Sequence, residues 1–106
     1  MIESIKSLFS SKTAVDYNSL MDKGGLIIDV RTKGEFANGH IKNSVNVPGN
    51  ELPNYLDKLE DKNQPIITCC ASGIRSASAK NYLLKQGFKT VHNGGGWASL
   101  KKKLNN

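Results

Sequence analysis

The apolar positions of the chain fall into short blocks that alternate between two periods. Residues 15–23 carry Tyr17, Leu20 and Met21 on one helical face, which Gly24-Gly25 brings to an end. Residues 26–30, Leu-Ile-Ile-Asp-Val, form a compact apolar run after that glycine pair, the pattern of a strand buried on both faces. Residues 31–40 are polar, contain Gly34 and Gly39, and predict a loop with room for one helical turn. Residues 44–47 predict a short strand stopped by Pro48-Gly49. Leu52, Tyr55, Leu56 and Leu59 then recur at helical spacing, with Pro53 in the first turn where proline is tolerated. Residues 65–69, Pro-Ile-Ile-Thr-Cys, predict a second buried strand, and 70–73 a loop of small residues. Residues 76–86 predict a helix through Ala77, Ala79, Leu83 and Leu84, with Gly87 following its end. Residues 88–92 predict another strand, 93–96 (Asn-Gly-Gly-Gly) a turn, and Trp97, Leu100 and Leu104 line a last helix. Strand and helix alternate throughout without an internal repeat. That order predicts an α/β domain with a mostly parallel sheet and helices on both faces.

Composition narrows the function classes. With 106 residues the expectation is a single domain over 1–106 with its core at about 13–104, since single cores usually run to roughly 100–200 residues. Two smaller domains would need staples, and the two cysteines, adjacent at Cys69 and Cys70, cannot supply them. No apolar run approaches the roughly 20 residues of a membrane span, so no membrane partner is expected. The net charge of +6 attracts anions generally. Its one cluster, Lys101 to Lys103, reads as a solvated helix face without interleaved aromatics, so no nucleic-acid partner is expected either. Residues 1–11 hold Ile2, Ile5, Leu8 and Phe9 but also Glu3, and do not read as a secretory signal. The expected location is therefore cytoplasmic, with both thiols reduced.

The segment Cys70-Ala71-Ser72-Gly73-Ile74-Arg75-Ser76 follows a buried strand and opens a helix. In open α/β sheets ligands sit outside the carboxyl ends of strands. A helix N-terminus there offers unpaired N–H groups, and small residues let a loop curl so that these converge. A cysteine at the start of such a loop has its thiolate favoured. Arg75 adds a permanent cation. Nucleophile, anion cradle and cation suit attack on an electron-poor sulfur or phosphorus atom. Cys69, by contrast, extends the apolar run of its strand and reads as a small buried hydrophobe. His40 and His92 are too few and too far apart to make a metal site with the cysteines, so no metal is expected. His40 reads as structural, and His92 as a strand-end residue near the loop. Arg31 and Glu35 read as a surface pair or as lining of the mouth.

The loop resembles the active-site loop of single-domain rhodaneses, the thiosulfate sulfurtransferase family. Asp29-Val30-Arg31, Glu35-Phe36, Gly39-His40-Ile41 and Asn46-Val47-Pro48 resemble the family's first signature block, and residues 88–96 its closing strand and glycines. The resemblance implies a three-layer fold with a mostly parallel five-stranded sheet. It implies that Cys70 takes a sulfane sulfur from thiosulfate or another small donor as a persulfide and passes it to cyanide, a thiol or a protein acceptor, with no cofactor. The backbone of Ala71, Ser72, Gly73, Ile74 and Arg75 would hold the persulfide, with Asp29, Arg31 and Ser76 in support. Asp29 reads equally as a strand-end cap. Ala71 and Ile74 are uncharged, so the loop's charge comes mainly from Arg75.

Two other readings stand beside this one. The first is a persulfide-carrying or regulatory interaction module with little turnover. The second is a cysteine-based phosphatase or arsenate reductase. Cys70 and Arg75 have four residues between them, the rhodanese spacing, whereas Cys69 and Arg75 have five, the spacing of the related cell-cycle phosphatases. Thr68 stands where those phosphatases usually carry a His, which favours Cys70. Trp97 directly follows the glycines, whereas the family more often has its Trp where Leu100 stands.

Overall fold

A computed structural model describes residues 15–104. The reading of residues 1–11 lies outside them. The elements run α1 (Tyr17–Asp22), β1 (Leu26–Asp29), α2 (Lys33–Ala37), β2 (Val45–Asn46), α3 (Leu52–Tyr55), β3 (Ile66–Cys70), α4 (Ile74–Lys85), β4 (Val91–Gly96) and α5 (Trp97–Lys103). Two 3-10 turns, Gly49–Glu51 and Leu56–Lys58, flank α3. The sheet order is β2-β1-β3-β4 and every pairing is parallel.

Alternation along the strands sorts the core into two layers. Ile28, Ile66 and Cys70 face one side and pack with Leu52 of α3 and with Ala79 and Leu83 of α4. Ile27, Ile67 and Cys69 face the other and pack with Tyr17, Leu20 and Met21 of α1 and Trp97 and Leu100 of α5. Helices therefore cover both faces, which leaves the carboxyl end of the central strand β3 as the place where a loop meets solvent. Leu100 is fully buried where the family more often has its Trp, while Trp97 lies at the edge of the same layer, so the last helix docks through both. No helix among the described residues is long and apolar enough to cross a membrane.

Four differences from the sequence reading have physical causes. The sheet has four strands among the described residues rather than five; the apolar pattern contains four runs, and the fifth came only with the family resemblance. The last strand is not 88–92 but Val91–Gly96, so the expected Asn-Gly-Gly-Gly turn is strand. Glycine there serves close approach rather than turning. A Cβ on Gly94 would stand 2.7 Å from Leu100 Cδ2 and 2.9 Å from Ile67 Cγ2. A Cβ on Gly96 would stand 3.0 Å from the Ala71 carbonyl oxygen. The helix over 52–59 is split into one α turn between two 3-10 turns, and the helix expected from 76 starts two residues earlier, at Ile74. The polar segment after β1 does hold its helical turn, α2, fixed by a capping box between Thr32 and Glu35.

Candidate active site

The site is built on the last residue of β3. Cys70 ends the strand, residues 71–73 bend, and Gly73 opens α4 with φ +99°, a left-handed conformation that favours glycine. That bend turns N–H groups back onto the strand end. The Gly73 N–H lies 3.0 Å from Cys70 Sγ, the Ser76 N–H 3.4 Å, and the Ser76 hydroxyl 3.4 Å. Burial alone would push the thiol up. The hydrogen bonds from the Ser76 hydroxyl and N–H, and from the Ser72 and Gly73 N–H groups, outweigh it and bring Cys70 down to about 7. A thiol in that range is half ionised near neutrality, the condition for a nucleophile. The residue is fully covered in this conformation.

Cys69 is the opposite case one residue away. Alternation turns its side chain to the other face of the sheet, into the layer of Ile27, Ile67 and Leu100. Burial, reinforced by the nearby Asp29 carboxylate, pushes its thiol up to about 12. It is a core residue held in its thiol form, which counts against the five-residue spacing to Arg75.

Asn93 was missed by the sequence reading, which placed it in a turn. Its side chain ties the loop to β4. Nδ2 donates to the Gly73 carbonyl at 3.0 Å, while Oδ1 accepts from the Ser76 hydroxyl at 2.7 Å and the Gly95 N–H at 2.9 Å. One amide thus ties Gly73 and Ser76, the two residues that meet the sulfur, to β4. Its signal in sequence is a lone amide between an apolar strand and a glycine run. Thr68 adds a second tie, donating from its hydroxyl to the Ser76 carbonyl at 2.8 Å.

The expected supporting residues divide. Ser76 touches the sulfur. Asp29 and Arg31 do not: they form a buried ion pair with three side-chain hydrogen bonds, and Arg31 also donates to the Gly39 carbonyl at 2.7 Å and the Glu35 carbonyl at 3.3 Å and stacks on Trp97. Asp29 is therefore a strand-end residue that holds the segment after β1. Arg31 meets Glu35 only at its backbone carbonyl, so the expected ion pair between their side chains is not made. Glu35 instead binds Arg75 of the loop, at 2.8 and 3.0 Å. The Arg75 guanidinium is accordingly held at the surface rather than closed over the sulfur. Arg75 also borders a cavity of about 350 Å³ whose other walls include Leu52, Pro53, Ala79 and Tyr82. His92 pairs with Ile67 in mid-strand rather than standing at the loop. His40 stacks on Phe36 and donates to its carbonyl at 2.8 Å, a structural role.

Fold and site together define an open parallel α/β domain that carries a cysteine in a backbone cradle at the end of its central strand. The family described as rhodanese-like domain matches residues 13–103. The chain belongs to that family. Among curated proteins it is 36% identical over 75 residues to the thiosulfate sulfurtransferase GlpE of Stutzerimonas stutzeri, covering 71% of this chain and 68% of that protein. It is 38% identical over 78 residues to the tRNA uridine(34) hydroxylase of Hamiltonella defensa, covering 69% of this chain but only 22% of that longer protein. Among solved structures it resembles a rhodanese with anions from E. coli, with a TM-score of 0.67 and 29% identity, covering 71% of this chain and 89% of that one. A rhodanese-like domain protein from Staphylococcus aureus matches with a TM-score of 0.64 and 36% identity, covering 71% and 72%.

Proposed function

We propose that the protein is a sulfurtransferase with Cys70 as its nucleophile. The observation that carries this is the sulfur itself, brought to about 7 by the Ser76 hydroxyl and by N–H groups of the loop. The Cys70 thiolate attacks the sulfane sulfur of a small donor. With thiosulfate the S–S bond breaks, sulfite leaves with the bonding pair, and Cys70 is left as a persulfide anion. Small residues 71–73 and the start of α4 offer N–H groups to that added negative sulfur. An acceptor, cyanide or a thiolate, then attacks the outer sulfur and releases the Cys70 thiolate. No metal or organic cofactor enters these steps. Because Cys70 is covered at rest, the loop parts before a donor reaches it. That cover also favours a second reading, a persulfide carrier that turns over only with a partner protein. A reducing compartment such as the cytoplasm suits either reading, because it keeps Cys70 from forming stray disulfides.

The test is mass analysis after thiosulfate or an organic persulfide, with cyanolysis as the turnover assay. Wild type should gain one sulfur on the peptide holding Cys70, Cys70→Ser should gain none, and Cys69→Ala should behave as wild type. Absence of an adduct with every sulfane donor would refute the reading. Loading with negligible turnover on cyanide and small thiols would select the carrier.

A further inference from the structure

The loop's one cation does not serve the loop. Arg75 forms a fork with Glu35 of α2, Nη1 to Oε1 at 2.8 Å and Nη2 to Oε2 at 3.0 Å. This is the bidentate geometry by which arginine recognises small oxyanions. Glu35 is itself fixed from behind. Its Oε1 accepts from the Thr32 N–H at 3.0 Å and the Thr32 hydroxyl at 3.1 Å, the capping box that opens α2. The hydrogen bonds from Arg75 and from the Thr32 backbone hold the Glu35 carboxyl down to about 2, so it is ionised at any working pH. Arg31, which lies in the first signature block, is committed to Asp29 and to the Gly39 and Glu35 carbonyls. On the far side of Arg75 the cavity wall is largely apolar, with Leu52, Pro53, Ala79 and Tyr82.

We propose that Glu35 is a positioning residue that sets donor preference: by holding Arg75 in a two-bond ion pair, it keeps the guanidinium from small dianions and biases the site against doubly charged donors. The inference takes its meaning for donors from the sulfurtransferase reading, but the underlying competition for Arg75 is a statement about anion binding alone. A dianion reaching the loop must displace a carboxylate that is already aligned and held, and it meets that carboxylate's charge. An uncharged organic sulfur donor meets neither obstacle. Both partners of the pair are partly exposed, at 45% and 37%, so the bias is modest, about 1.5- to fivefold by the usual worth of such pairs.

Glu35→Gln is the informative variant, because glutamine at this position keeps the capping box while removing the charge. Sulfate, an unreactive dianion, is titrated at constant ionic strength while the amide resonances of residues 71–76 are followed. Glu35→Gln should bind sulfate about 1.5- to fivefold more tightly than wild type, a gain that mere loosening of the structure would not produce. Equal or weaker binding overturns the proposal. The double variant Glu35→Gln/Arg75→Gln should lose the gain; if it keeps it, the effect is long-range charge and the proposal fails. Arg75→Gln alone provides a check that does not depend on Glu35→Gln folding. It removes the group for which the dianion competes and leaves the Glu35 carboxylate unpaired, so it should bind sulfate more weakly than wild type, and unchanged or tighter binding overturns the proposal. With thiosulfate as donor the change should fall on KM rather than kcat. If no protein forms a persulfide with any donor, the sulfurtransferase reading falls, while the sulfate titrations still decide the role of Glu35.

Discussion

At the scale of single residues, the chemistry of Cys70 is set by how many donors face one sulfur. The Ser76 hydroxyl is the donor whose removal is cleanest, because Ser76→Ala leaves the backbone N–H groups in place. A hydrogen bond to a charged group is worth about 1.5–3 kcal/mol, so the variant should move the thiol up by about one to two pH units. The measurement is the pH dependence of alkylation by iodoacetamide. In wild type the rate should rise through a midpoint at about 7, because the thiolate is the reacting form. In Ser76→Ala the midpoint should lie higher. Cys69, pushed up to about 12 by burial, should stay unlabelled in both. Much of this was legible in the sequence: a strand, a cysteine, small residues and a helix start sufficed to choose Cys70. The partners of that site were not. Asn93 and Glu35 reach it across 20 and 40 positions of chain, and no local pattern encodes such a contact.

At the scale of elements, two junctions hold the site in place. One is the segment after β1, where the buried Asp29–Arg31 pair fastens the backbone around Gly39. Removing one partner of a buried pair leaves an uncompensated charge, at a cost of about 3–5 kcal/mol. Arg31→Ala should therefore lower the urea midpoint sharply, whereas Glu35→Gln at the exposed pair should scarcely move it. The other junction is β4 against β3. Gly94→Ala would force a methyl against Leu100, Ile67 and the Thr68 carbonyl, backbone as well as side chain. Overpacking of this kind costs about 1–3 kcal/mol, and equilibrium urea unfolding should show it. This junction is also where sequence pattern misled. Three glycines in a row read as a turn because local propensity is all that a window of sequence reports. Their use as a strand appears only when the distance to β3 and α5 is known. The buried strands, by contrast, were legible because Leu26–Asp29 and Ile66–Cys70 are apolar on both faces, a pattern few other settings produce.

At the scale of the whole molecule, the two thiols give stability opposite dependences on pH. Cys70 titrates at about 7 when folded, against an ordinary 9.0. Its folded-state pKa is depressed, so its contribution is fully present above about 9, declines as pH falls, and is gone below about 7. Cys69 has its pKa raised to about 12, so stability is lost as pH climbs from 9.0 toward that value. Between about 7 and 9 only Cys70 acts. The stability advantage of wild type over Cys70→Ala should accordingly grow across that window and level off beyond it, as read from urea midpoints at several pH values. A flat difference would mean that the cradle does not favour the thiolate.

The opposed orientation of the adjacent cysteines has a consequence for repair. An oxidant that converts Cys70 to a sulfenic acid creates a species that needs a second thiol to return it to the reduced state. The neighbour in sequence is on the far side of the sheet, and these are the chain's two cysteines. Condensation between them would require the end of β3 to leave its pairing with β1 and β4. Cys69 is thus no resolving thiol for Cys70 while the sheet is intact, and recovery of an oxidised Cys70 falls to thiols from outside this domain.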